Sequence, residues 1–65
     1  MDLNSPEVRQ AMLCARLERS EQLVASNLAQ EFDVSLDTIR RDIIALEQAG
    51  LARRVRGGAM PLQKL

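Results

Sequence analysis

The sequence contains no histidine, tryptophan or tyrosine, and only one cysteine and one phenylalanine among its 65 residues. Without histidine, catalysis by an imidazole and metal binding through an imidazole are both excluded. A single cysteine excludes an internal disulfide and the paired-cysteine spacing of a zinc site. Clustered carboxylates and a glycine-rich phosphate loop are also missing, so we expect no cofactor, no metal and no enzymatic activity.

Long apolar runs are missing as well. The longest apolar stretch is a few residues, which is too short to cross a bilayer. The first ten residues, MDLNSPEVRQ, have neither the basic start nor the apolar run of a signal peptide. We therefore expect a cytoplasmic protein without a membrane partner.

The residues that are present indicate one small helical domain. Apolar residues make up 46% of the chain and charged residues 28%, which is typical of an ordered globular domain. Nine basic and nine acidic residues give a net charge of zero, which at first argues against a nucleic-acid partner. The charges are unevenly divided, however. Residues 1–33 carry three basic and six acidic side chains, and residues 34–65 carry six basic and three acidic ones.

The first predicted element is a helix that begins after Ser5, with Pro6 at its first position, and runs to about Arg19. The side chains predicted to form its buried stripe are Leu13, Cys14 and Leu17. Those predicted to be more exposed are Arg9, Arg16 and Glu18. We expect Cys14 to act as a small core residue.

Two further helices are predicted after a very short extended segment at Leu23. The second helix spans about 25–32, and Asp33 follows it as a left-handed turn residue. The third begins at its N-cap Ser35 and ends at Gly50. It has one apolar face, formed by Ile39, Ile43 and Leu46. Two helices joined by about four residues are typical of a helix-turn-helix.

A β-hairpin is predicted next, with an extended segment over 51–56, a turn at Gly57-Gly58 and a returning strand over 59–62. Strand alternation places Arg54 and Arg56 on one face and Arg53 on the other. Guanidinium groups beside a glycine tip are suited to binding phosphate. A basic edge hairpin that only prevents strand pairing is the alternative interpretation.

The outer face of the third helix carries the candidate base-reading residues. Helical geometry places Asp37, Thr38, Arg40 and Arg41 away from the apolar face, with Ile44 as a possible contact to a thymine methyl. Arginine bonds guanine through two hydrogen bonds, and aspartate accepts from the cytosine amino group. Alternatively, Asp37 and Arg41 form only an ion pair between adjacent helical turns.

These residues fall in a recognisable pattern. The stretch Val34-Ser35-Leu36-Asp37-Thr38-Ile39-Arg40-Arg41-Asp42-Ile43, with Leu46-Glu47, Gly50-Leu51, Arg54-Val55 and Gly57-Gly58-Ala59, closely resembles the DeoR family of bacterial transcription regulators. The family signature is VSxxTIRRD followed by RxHGGA, and the resemblance covers roughly residues 9–60. Arg56 stands where the family usually has histidine, and Ala52 where leucine is common. We expect Asp42 to have a structural role, orienting an arginine or bonding to a neighbouring element.

The resemblance implies a small, mostly α, α+β fold: a winged helix-turn-helix of three helices and a C-terminal β-hairpin wing. It further implies that residues 1–65 form the N-terminal DNA-binding domain of a longer repressor. Such a repressor would be a homo-oligomer that binds a double-stranded DNA operator and senses a sugar phosphate through a C-terminal domain absent here. The motif and the residue pattern together predict these DNA-binding residues: Ser35, Asp37, Thr38, Arg40, Arg41, Arg54, Arg56, Gly57 and Gly58. The alternative function is a winged-helix module that docks an acidic protein through its arginines.

Overall fold

The computed structural model describes residues 2–62. Its elements are α1 (Pro6–Glu18), β1 (Leu23–Val24), α2 (Ala25–Phe32), α3 (Leu36–Gln48), β2 (Arg53–Val55) and β3 (Gly58–Met60). The predicted fold class, three helices with a C-terminal β-hairpin, is confirmed. No helix within these residues is long and apolar enough to span a membrane.

The sheet joins the wing to the helix-turn-helix. Its antiparallel strands lie in the order β1-β3-β2, so β3 is central. Leu23 pairs with Ala59 and Val24 with Gly58, which connects the segment before α2 to the hairpin. The sequence predicted the short extended segment and the hairpin but not their pairing. The wing is therefore positioned by β1 as well as by its own turn.

The predicted position of the hairpin tip is wrong by one residue. Arg56 and Gly57 form the two-residue turn, while Gly58 is a buried residue of β3 that pairs with both Val55 and Val24. The reason is a close approach of the backbone, because a Cβ on Gly58 would lie 1.7 Å from the carbonyl oxygen of Leu23. Gly58 thus permits three strands to pair, whereas Gly57, at φ +80°, permits the turn.

All three helices end in the same way. A residue with a left-handed backbone follows each one, at Ser20 (φ 63°), Asp33 (φ 55°) and Gly50 (φ 75°). The next N–H in each case returns to a carbonyl five residues earlier at 2.9–3.1 Å, which is the Schellman arrangement. The predictions for Asp33 and Gly50 are confirmed. Ser20 is a left-handed residue that the sequence did not indicate.

The core is aliphatic apart from Phe32 and lies between the three helices and the sheet. Its buried side chains are Leu13, Leu17, Leu23, Ala25, Leu28, Phe32, Ile39, Ile43, Leu46, Ala52 and Ala59. The predicted apolar face of α3 is confirmed in full. Cys14, predicted as a core residue, is only half-buried at the edge of the core. The cause is its place on α1, one residue beyond the line through Leu13 and Leu17.

The prediction that Arg9 is exposed is wrong, because only 6% of its surface is accessible. Its Nε donates to Oδ2 of Asp42 at 2.6 Å and its Nη2 to Oδ1 at 3.3 Å. Its Nη1 donates to the carbonyl of Leu3 at 3.0 Å, and Gln10 also donates to Asp42 at 3.2 Å. The hydrogen bonds that Arg9 donates to the carboxylate of Asp42 raise the pKa of Arg9. A buried arginine needs such a partner, and Asp42 provides it from α3.

Arg16 is also less exposed than predicted. It is half-buried, forms an ion pair with Glu31 of α2, and lies over the ring of Phe32 at 5.5 Å from the centroid. The guanidinium of Arg16 lowers the pKa of Glu31 through their hydrogen bond. Glu18, the third residue of that predicted group, is exposed as expected. Arg9 and Arg16 therefore attach α1 to α3 and to α2 respectively.

Candidate nucleic-acid interface

The start of α3 is built by two of the predicted site residues. Ser35 is the N-cap, and its Oγ accepts the backbone N–H of Thr38 at 3.1 Å. The two hydroxyl groups also share a hydrogen bond of 2.7 Å. Asp37 adds a negative charge in the first turn, where the helix dipole favours one. Ser35 and Thr38 thus hold the helix end that a base-reading helix would present.

Three consecutive charged residues of α3 have different environments. Arg40 and Arg41 are exposed, whereas Asp42 is buried with 2% of its surface accessible. Each residue advances by about 100° around the helix, so Asp42 turns towards α1 while the two arginines turn outwards. The prediction that Asp42 bonds to a neighbouring element is confirmed by its contacts with Arg9 and Gln10. This carboxylate is therefore withdrawn from the arginine surface.

Asp37 and Arg41 form the ion pair that was the alternative interpretation of their spacing. The Nε of Arg41 lies 3.0 Å from Oδ2 of Asp37, and the two side chains are 80% and 69% exposed. Exposed pairs of this kind contribute only about 0.2–1 kcal/mol to stability. The pair is therefore compatible with binding a ligand, because both groups stay accessible.

A groove of about 160 Å³ separates α3 from the wing. It is lined by Ala25, Arg40, Ile43, Ile44, Arg54, Val55, Gly57 and Gly58. Arg40 of the helix and Arg54 of the wing thus border one groove. Ile44, half-buried, forms part of its wall. Four of the nine predicted site residues line it, namely Arg40, Arg54, Gly57 and Gly58. The other five, Ser35, Asp37, Thr38, Arg41 and Arg56, do not.

The wing arginines are all exposed. Arg53 and Arg54 lie on β2, and Arg56 lies at the tip beside Gly57. Arg54 has an acidic neighbour that the sequence did not predict as part of the site, because its Nε lies 3.8 Å from Oε1 of Glu47. A signal for Glu47 does exist in the sequence. It is an acid in the last turn of a helix, where the dipole favours a cation.

The resulting surface is basic despite the neutral chain. Five arginines are exposed between residues 34 and 62, namely Arg40, Arg41, Arg53, Arg54 and Arg56. Two exposed acids, Asp37 and Glu47, oppose them. Within the part of the chain that is described, the other three arginines have no ion-pair partner within 4 Å. Lys64, the sixth basic residue of this half, lies outside the described residues.

Comparison with known proteins relates this chain to transcription regulators. A family model described as the DeoR-like helix-turn-helix domain matches residues 9–64. The transcriptional repressor AccR of Agrobacterium fabrum is 37% identical over 65 residues, which cover 100% of this chain and 25% of AccR. The HTH-type transcriptional regulator GolR of Listeria innocua is 36% identical over 58 residues, covering 89% of this chain and 23% of GolR. The chain thus spans about a quarter of the length of these relatives. No solved structure matches it.

Proposed function

The chain belongs to the DeoR-like family of helix-turn-helix domains, DNA-binding domains of transcription regulators, and we propose that it recognises a specific duplex sequence as part of a repressor. In this proposal α3 enters the major groove and the wing holds phosphate or the adjacent minor groove. The observation that carries it is the pair Arg40 and Arg54, which border one groove from the helix and from the wing. That arrangement suits a ligand that contacts both elements at once.

Base reading is assigned to the outer face of α3. Arg40 and Arg41 are exposed there. Arg40 has no ion-pair partner among the described residues, and Arg41 has only its exposed pair with Asp37. Their N–H groups are therefore available for the acceptor atoms of guanine. Asp37 and the hydroxyl groups of Ser35 and Thr38 lie in the first turn of the same helix. All five side chains belong to the part of a recognition helix that meets base edges.

The wing is assigned to the phosphate backbone. Arg54 and Arg56 supply charge, and the left-handed turn at Gly57 has open space on the side where a Cβ would project. Gly58 contributes indirectly, because it allows β1 to pair with β3 and so supports the wing. Contacts of this kind position a protein on DNA without reading the sequence.

The proposal extends to a longer protein. Since the relatives are about four times as long, we infer that residues 1–65 form one domain of a longer cytoplasmic regulator. Oligomerisation and the sensing of a sugar-phosphate effector are assigned to the remainder of that protein. One module contacts one half-site, so the 65 residues alone should bind DNA weakly.

The test is a salt titration of the chain against a short random-sequence duplex, followed by fluorescence anisotropy. The logarithm of the affinity should fall linearly with the logarithm of salt, with a slope of about −0.9 for each neutralised phosphate. The variant Arg40→Ala/Arg41→Ala should bind this duplex more weakly and with a shallower salt dependence, because it removes two positive charges from the face that meets the DNA.

The matched control is Arg19→Ala, which removes an exposed arginine at the end of α1, in the acidic region formed by residues 1–33. It should bind like the unmodified chain. Undetectable binding at low salt, or a double variant that binds as tightly as the control, would exclude the DNA proposal and favour docking of an acidic protein.

A further inference from the structure

We propose that Glu47 limits the affinity of the wing for DNA by competing with phosphate for the guanidinium of Arg54. The inference rests on the proposed function, since it requires that Arg54 contacts the phosphate backbone. It assigns a role in binding to an acidic residue of α3 that is not among the predicted DNA contacts.

The position of Glu47 is set by the backbone at the end of α3. Its carbonyl accepts the N–H of Gly50 at 3.0 Å, and the N–H of Leu51 returns to Leu46 at 2.9 Å. These two bonds close the Schellman turn that leads into β2. Glu47 therefore lies at the junction of helix and wing, and its carboxylate is within 3.8 Å of the Nε of Arg54.

The contact leaves Arg54 able to bind a ligand. Neither Arg54 nor Glu47 has a side-chain hydrogen bond to another described residue, and the two side chains are 56% and 42% exposed. The carboxylate of Glu47 offsets the charge of the guanidinium, but the N–H donors of Arg54 stay available. A phosphate that pairs with Arg54 must then either displace Glu47 or lie close to a second negative charge, which repels it.

Stability of the fold does not explain an acid at this position. The last turn of α3 has no basic residue, and the helix dipole disfavours a negative charge there. An exposed ion pair between two flexible side chains compensates for little of this. The effect of the carboxylate therefore falls mainly on what Arg54 can bind.

The other exposed pair of the surface, Asp37 with Arg41, differs in its consequence. It joins neighbouring turns of one helix, a spacing at which such pairs form on any exposed helix. The pair of Glu47 with Arg54 joins α3 to β2 and so acts on the wing. Because wing contacts go to phosphate, removing Glu47 should strengthen binding to every duplex equally.

The experiment is a double-mutant cycle that compares the unmodified chain with Glu47→Gln, Arg54→Ala and the combined variant. Each binds a random-sequence duplex in fluorescence anisotropy over a range of salt, after circular dichroism has shown equal helix content. Glu47→Gln should bind about two- to fivefold more tightly, the range expected from an exposed ion pair. Its salt dependence should be steeper, and the gain should vanish when Arg54 is alanine.

The control is Glu18→Gln, which removes the same charge from the last turn of α1, where Glu18 is exposed and has no ion pair with a described residue. Its affinity should be unchanged, since salt screens distant charges. Equal affinity of the unmodified chain and Glu47→Gln would overturn this inference alone, as would the same gain in the Arg54→Ala background. An unmodified chain that does not bind DNA would overturn the proposed function itself.

Discussion

The N-terminal and C-terminal regions of this protein use arginine in opposite ways. In residues 2–33, Arg9 and Arg16 are hydrogen-bonded to carboxylates of other helices. In residues 34–62, Arg41 and Arg54 approach carboxylates without a hydrogen bond and remain 80% and 56% exposed. Two of the three arginines of the first region thus hold helices together, and Arg19 is exposed. The arginines of the second region keep N–H groups available to a ligand.

Net charge is therefore a poor guide to what such a chain binds. The total of zero combines an acidic region with a basic one, and the local field steers a phosphate backbone more than the total does. Burial increases the contrast. Asp42 belongs to the basic region of the sequence, yet it faces Arg9 in the interior and does not offset the exposed arginines.

Breaking the buried ion pair between Arg9 and Asp42 should have the largest effect on stability. Asp42→Ala leaves the guanidinium of Arg9 buried without a counter-charge, so we expect a loss of about 3–5 kcal/mol in the free energy of unfolding. The free energy of unfolding of native proteins is only about 5–15 kcal/mol, and a domain this small lies near the lower end. A loss of this size would therefore leave it largely unfolded. Urea denaturation followed by circular dichroism measures it.

Two variants make this test specific. Replacing both partners, as in Arg9→Met/Asp42→Leu, should recover most of the lost stability because no buried charge remains. Arg41→Ala should change stability by less than about 0.5 kcal/mol, as expected of an exposed residue. If Arg41→Ala proved as destabilising as Asp42→Ala, the contrast between the two regions would be wrong.

The next largest effect is expected at the base of the wing. Gly58→Ala would place a Cβ against the backbone of Leu23, so β1 and β3 must separate, at a cost of about 1–3 kcal/mol or more. Gly57→Ala is the matched control, because its Cβ would meet no atom within 4 Å and only the left-handed φ is strained. That strain costs about 1–2 kcal/mol. Thermal unfolding should therefore rank Gly58→Ala below Gly57→Ala, and the reverse order would show that β1 does not support the wing.

The smallest expected effect concerns pH. Arg16 lowers the pKa of Glu31 in the folded state, so the stabilisation is present above the ordinary value of 4.5 and is lost as the pH falls through the lowered pKa. Glu31→Gln should therefore be slightly less stable than the unmodified chain at neutral pH and equally stable in strong acid. The effect is small because 48% of the Glu31 side chain is exposed to solvent. A difference in urea midpoint that is the same at both pH values would contradict it.

Much of the fold follows from local signals. The helices begin and end close to where the sequence predicts. The residues that mark these ends are the caps Ser5 and Ser35, the left-handed residue Asp33 and the glycine after α3. The outward position of Arg40 and Arg41 follows from the buried apolar face opposite them. The assignment of particular residues to DNA contacts remains a prediction, because the described residues define a surface and not its ligand.

The helix-turn-helix, the hairpin and the uneven division of charge follow from the sequence alone, because caps, helical periodicity and turn residues act over a few positions. The burial of Arg9 follows only from tertiary packing, although its spacing of four from Leu13 puts it on the same face of α1. The same packing places Gly58 inside the sheet and Glu47 beside Arg54. Each of these three features depends on which elements pack together, and local periodicity in the sequence does not predict which elements will be neighbours.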